Sequence, residues 1–200
     1  MNSIFIHPFY TRIMKTLLLF ISFFSFSYAA LAQIPKGMDV YDGWACTKKG
    51  DTLRGKICNI DPKSSQRLDK IFLFDSANKK SRLGAEKLSF YFLDGKLFEY
   101  VTLEETPVAV PMQKVITGDL CLYYAWFPLI ESTPQKYVYE KAIFLKKKDQ
   151  TAYIEVLEKK FQKNMALYFK GDEDIVQLIK DNKYESKDIE KIVAAYNAKN

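Results

Sequence analysis

Polar and apolar positions alternate at a period of two through much of residues 39–154, and then switch to a helical period over residues 155–198. The sharpest piece is Leu88–Leu93 followed by Asp94-Gly95 and Lys96–Val101, two aromatic and branched runs around an Asp-Gly pair. A two-residue type I′ turn needs positive φ at both central positions, so this pair predicts a β-hairpin. The register follows: Leu93 faces Lys96, Phe92 faces Leu97, Tyr91 faces Phe98, Phe90 faces Glu99 and Leu88 faces Val101. One side then carries Leu88, Phe90, Phe92, Leu97 and Val101, with Glu99 at its margin, and the other Ser89, Tyr91, Leu93, Lys96, Phe98 and Tyr100. Both sides are too apolar for water, which places the hairpin in the middle of a layered domain.

Gly43–Thr47 and Thr52–Ile60 read as an earlier hairpin turned at Gly50-Asp51, putting Cys46 opposite Gly55. Asp61–Ser65 is a loop, Ile71–Asp75 a short strand and Ser76–Lys80 a polar turn. Pro107 and Pro111 mark an edge or a crossing connection, because proline cannot donate to a ladder. Val115–Trp126 reads as one strand with a break or bulge at Gly118, Pro128 to Pro134 as a loop, and Tyr137–Lys147 with Thr151–Ile154 as a last hairpin. Beyond it, Leu157, Phe161, Met165 and Tyr168 recur at helical spacing up to Gly171. Ile175, Leu178 and Ile179 repeat the pattern, and Ser186 is the expected N-cap of a third helix. Some eight strands followed by three short helices predict a single α+β domain over residues 33–200, a β-rich antiparallel meander or barrel-like body with C-terminal helices.

The beginning of the chain changes the chemistry. Arg12 and Lys15 precede the apolar run Thr16–Phe26, and Ala30-Leu31-Ala32 follows as a small-x-small cleavage site. Together these predict a secretory signal peptide over residues 1–32, with Met14 a rival start to Met1. Its apolar core of about 11 residues is short of the roughly 20 of a membrane-spanning helix. Cleavage at Gln33 would leave 28 basic and 24 acidic residues, a net charge of +4, and remove the lone histidine, His7. A chain without imidazole has no Ser-His-Asp or Cys-His catalysis and no imidazole metal site. The expectation is an exported protein, periplasmic, outer-membrane-associated or extracellular, without cofactor or metal and without a transmembrane helix in its mature form. Cys46, Cys58 and Cys121 are an odd number, allowing at most one disulfide; the turn at Gly50-Asp51 disfavours a Cys46–Cys58 bridge, and Cys121 could pair with either.

The order of features resembles a group of secreted domain-of-unknown-function proteins from Bacteroidetes-type Gram-negative bacteria. The resemblance is carried by Lys49–Ile57 soon after the leader, the aromatic Asp-Gly hairpin, Lys114–Tyr124 with its Gly118-Asp119-Leu120, and the ending Tyr168–Lys170 through Ile189 to Tyr196-Asn197. It implies an exported, envelope-associated domain and brings no functional residues with it.

Several clusters invite a chemical reading. Asp172-Glu173-Asp174 lacks the Gly and Glu positions of an EF-hand loop and fits the first turn of a helix. Glu104-Glu105 would point to opposite faces of a strand. Lys146-Lys147-Lys148 lacks the interleaved aromatics of a nucleic-acid binder, so no nucleic acid is expected, and weak contact with anionic lipid headgroups is the remaining reading. Tyr91, Phe98, Tyr100, Tyr123 and Trp126, with Tyr139 possible beside them, form the candidate ligand-binding face; the other reading of these rings is core beneath the helices. The expectation is a non-enzymatic module binding an envelope protein or an apolar or carbohydrate ligand. Its rivals are a hydrolase with a carboxylate, Lys or Tyr base, and a structural subunit of an envelope oligomer.

Overall fold

In a computed structural model that describes residues 39–58, 70–104, 106, 108–129 and 138–199, ten strands join in one antiparallel sheet. They are β1 (Val40–Thr47), β2 (Thr52–Cys58), β3 (Lys70–Phe74), β4 (Lys80–Gly84), β5 (Leu88–Leu93), β6 (Lys96–Val101), β7 (Val110–Ile116), β8 (Leu120–Leu129), β9 (Val138–Lys147) and β10 (Ile154–Glu155). Three helices follow, α1 (Phe161–Tyr168), α2 (Glu173–Lys180) and α3 (Ile189–Asn197), so the fold is α+β. The spatial order is β10-β9-β8-β7-β6-β5-β1-β2-β3-β4, and the sheet is not closed. The leader over residues 1–32 and the loop at Asp61–Ser65 lie outside the described residues.

One connection sets the shape of the first half. β4 stands four strands away from β5 across the ladder, roughly 19 Å in a flat sheet. Yet the chain passes from Gly84 to Leu88 through a tight turn in which Lys87 N donates to Gly84 O at 3.0 Å. The sheet must therefore curl on itself between β1 and β5. Gly43 and Gly55, directly opposed on β1 and β2, permit the bend. A Cβ at Gly55 would lie 2.2 Å from the Phe74 carbonyl oxygen, and one at Gly43 would lie 2.4 Å from that of Phe92. The curl encloses a core of Ala45, Ile57, Ile71, Leu83, Tyr91 and Phe98. The β4 edge carries Lys80 and Arg82, charges that blunt edge-to-edge pairing.

The second half is closed differently. Leu120, Leu122 and Leu145 on β8 and β9 are covered by Phe161, Met165, Ile175, Ile179, Ile192 and Val193 from the helices. This is the same inner face, because Tyr124 packs on the helical core while Trp126, two residues on, packs on the curled core. On the outer face Met112, Tyr123, Ala125 and Phe144 form a third cluster.

The Asp-Gly hairpin keeps its expected register from Phe90↔Glu99 to Leu93↔Lys96, with Asp94 and Gly95 both at positive φ. Leu88 departs from it: the β1–β5 pairing slips between Cys46 and Thr47, so Leu88 faces Thr47 and joins the inner core rather than Phe90. A bulge of one residue reverses the face of whatever follows. The first hairpin also differs. Thr47 N donates to Asp51 O, so the loop is longer than two residues and Cys46 opposes Thr52, with Gly43 opposite Gly55.

Three other expectations change. Residues 80–84 form β4 rather than the end of a turn, with Leu83 as its only large apolar side chain. Pro111 is the second residue of β7, opposite Tyr100, inside a strand flanked by β6 and β8; it is not an edge, and its position near the strand start spares the ladder. Gly118-Asp119 turns β7 into β8 instead of interrupting one strand, and β8 continues through Pro128, which pairs with Tyr139. The sheet thus has ten strands where the pattern showed about eight. In the helical part, Gly171 has φ 103° after α1, as its C-terminal position required. The third helix follows a 3₁₀ turn, Ser186–Asp188, which Glu185 and Asp188 close in a reciprocal capping box; Ser186 is the first residue of that turn, and Asp188 at the N-cap of Ile189–Asn197 makes no side-chain cap hydrogen bond.

Candidate functional site

The five rings of the candidate binding face do not share one exposed surface. Tyr91 is 1% exposed and Phe98 7%, stacked at 4.8 Å between centroids, with half-buried Tyr100 tilted against Tyr91. Trp126 packs on the same cluster. Tyr123 lies on the opposite side of the sheet, 2% exposed, edge-on to Tyr153. The reason is the strand period: Tyr123 and Trp126 are three residues apart on β8 and so point to opposite faces. Four of these rings build the inner core, and the fifth belongs to the outer cluster. Half-buried Tyr139 pairs across the ladder with Pro128.

A second aromatic group lies elsewhere. On the outer face of β1 and β5, Trp44 stacks against Phe92 at 6.0 Å and meets Phe90 edge-on at 5.4 Å, all three half-buried. Cross-strand pairing makes a band: Arg54 opposes Trp44, Trp44 opposes Phe92, Phe92 opposes Leu97, and Leu97 opposes Lys114. The alternation Trp44-Ala45 carried the signal for this patch, but the rings beside it come from β5, whose pairing with β1 joins residues more than forty apart in the chain.

Lys114 leads into a cleft of about 580 Å³ at the end of the sheet, bounded by the Gly118 turn, the end of β9 and the end of α3. Cys121 and Tyr123 line it, as do Lys146, Lys147 and Lys148. Lys114 Nζ pairs with Glu99 Oε1 at 3.0 Å, and Tyr123 donates its hydroxyl to Glu99 Oε2 at 3.1 Å. Burial, reinforced by the Glu99 charge, holds the Tyr123 phenol far above its ordinary range. Lys148 pairs with Asp119 at 3.6 Å. Lys146 Nζ sits 4.9 Å from the Tyr153 ring, and Lys147 donates to the Tyr168 carbonyl at 3.3 Å while lying over Tyr168 and Tyr196. Asn197 clamps α3 to the turn: its Oδ1 accepts from Leu120 N at 2.8 Å and its Nδ2 donates to Leu120 O at 2.9 Å. The basic run is therefore split, with Lys146 opposite Cys121 and Lys147 opposite Leu120 on alternate faces. Its fourth member, Lys114, comes from a strand some thirty residues earlier, which no local reading of Lys146–Lys148 could supply.

The remaining candidates are structural. Asp172 caps α2 by accepting from Ile175 N, and Lys199 bridges Asp172 and Asp174 at 2.9 Å each. Glu104 is exposed, and Glu105 lies outside the described residues. Cys46, Cys58 and Cys121 are all thiols, and burial raises Cys58 above its ordinary range. Among the described residues no three His, Cys, Asp or Glu side chains gather as a ligand set, and no helix is long and apolar enough to cross a membrane.

No protein-family model, curated protein or solved structure matches the chain.

Proposed function

We propose that the protein is an exported, non-enzymatic binding module of the cell envelope, and that it meets its ligand through the outer face of the sheet at Trp44, Phe90, Phe92 and Leu97. The observation that carries this reading is the Trp44 stack on the outer face, only partly covered and held by strand pairing into a band five strands wide. Flat rings on a rigid sheet offer apolar area at small entropic cost, which suits a sugar ring or an apolar peptide side chain. The leader at residues 1–32 and the resemblance to secreted envelope proteins support the compartment. The inner rings Tyr91 and Phe98, already stacked on each other, supply stability.

A hydrolase with a Tyr or carboxylate base would draw on Glu99, Lys114 and Tyr123. Their geometry favours a structural role: Glu99 is engaged by both partners, and a phenol pushed up in pKa gives up its proton less readily than a free one.

The chain has two tryptophans, so Trp126→Phe leaves Trp44 as the sole indole emitter. Titrating that protein with gluco- and chito-oligosaccharides, oleate and anilinonaphthalene sulfonate tests the proposal. A saturable blue shift with at least one class, abolished by Phe92→Ala, is expected. Emission unmoved by every member of the panel would overturn the reading.

A further inference from the structure

The lysine-lined cleft has a charge balance that the aromatic band does not explain. Of its four ammonium groups, Lys114 is offset by Glu99 and Lys148 by Asp119. Among the described residues no carboxylate pairs with Lys146 or Lys147; their contacts are aromatic rings and one backbone carbonyl. Lys146 and Lys147 thus line one concavity without a direct ion pair, with Asp149 acting on the Tyr168 and Tyr196 rings that Lys147 covers. Lys147 uses one of its three donors on Tyr168, and Lys146 spends none on an oxygen acceptor. Lys114 keeps only 18% of its side chain exposed, Lys146 lies over the Tyr153 ring and Lys147 over Tyr168 and Tyr196. Low-dielectric walls of this kind concentrate the field of the lysines inside the cleft.

From these observations we infer that the cleft is a binding site for a phosphate ester. A phosphomonoester carries about −1.5 to −2 at neutral pH, a charge that the ammonium groups of Lys146 and Lys147, engaged in no direct ion pair among the described residues, can answer. At about 580 Å³ the cleft is larger than a bare phosphate needs and falls in the range of small-molecule sites, leaving room for the esterified group. Lysine ammonium groups bind phosphate as point charges, and Lys146, Lys147 and Lys148 reach the cleft from consecutive positions at the end of one strand. Asn197 fixes the wall opposite them by holding the end of α3 on Leu120. This site stands independently of the aromatic band, whose rings do not line it.

The test is a calorimetric titration of the full chain with inorganic phosphate at low ionic strength, repeated on Lys146→Gln, Lys148→Gln and, as a charge-matched control on α2, Lys180→Gln. Saturable binding is expected, weakened about tenfold by Lys146→Gln, less by Lys148→Gln because Asp119 already offsets that charge, and unchanged by Lys180→Gln. Sulfate should compete and chloride at equal ionic strength should not. Two sources of phosphate are separated by sedimentation with vesicles containing phosphatidic acid, whose headgroup is a phosphomonoester. Vesicles that carry the protein down and release it to added phosphate identify a lipid headgroup; vesicles that leave it in solution identify a soluble ester. Heats that do not saturate with phosphate, or equal losses in Lys146→Gln and Lys180→Gln, would overturn the assignment.

Discussion

The two halves of the sheet bury the same kind of face by different means. Between β1 and β5 the strands curl until Ile57, Ile71 and Leu83 meet Tyr91, and no helix is needed. Across β8 and β9 the inner leucines are covered by α1, α2 and α3. The outer face follows suit. Beside the helical half it is filled by the buried Met112, Tyr123 and Phe144 with Tyr153 across them, whereas beside the curled half Trp44, Phe90 and Phe92 are only half-buried. A sheet that closes its core by curvature leaves its convex side available for contact, and that is where the proposed recognition surface lies.

The difference can be broken at its origin. Gly55→Val drives a side chain into the Phe74 carbonyl and should flatten the curl, costing about 4 kcal/mol in urea denaturation, because backbone on the neighbouring strand cannot yield as a side chain would. Ile179→Ala attacks the other closure. This residue is fully buried on α2 and its truncation should cost about 3 kcal/mol, with helical signal lost first. Asn197→Ala should cost about 2 kcal/mol by stranding the amide and carbonyl of Leu120, read as faster hydrogen exchange at Leu120 with the curled half unaffected. A smaller effect concerns the Tyr124–Glu190 hydrogen bond between β8 and α3. Burial first, and then Glu190, push the Tyr124 phenol up to about 12. A raised folded pKa contributes stability that is complete below about pH 10 and lost as pH rises through 12. Tyr124→Phe should accordingly blunt the alkaline fall in melting temperature while leaving the neutral value nearly unchanged.

What could be read in advance follows from how local each signal is. The Asp94-Gly95 turn fixes φ by its own residues, and the register of its hairpin follows from it. The helices, spaced by Phe161, Met165, Ile175, Ile179, Ile189 and Val193, were legible for the same reason. The curl was not, because it depends on β5 pairing with β1 and not with β4, a contact across some forty residues of chain. β4 was missed because only Leu83 faces the core strongly. The candidate site suffered most. Phe98 pairs through Gln113 with Tyr124, not Tyr123, so the aromatic set, which took Tyr123 with Trp126 on β8 against the strand period, mixed inner and outer rings. Lys114 and Lys146 meet only through β8, which stands between their strands.

The inner aromatic face stabilises and the outer one binds, a division of labour that paired melting curves of Tyr91→Ser and Trp44→Ser test most directly. Tyr91 is fully buried and stacked on Phe98, so its loss should cost about 4 kcal/mol and lower the melting temperature by roughly ten degrees. Trp44→Ser should lower it by about three degrees and abolish binding of anilinonaphthalene sulfonate. Equal losses of stability in the two variants, with dye binding intact in Trp44→Ser, would contradict it.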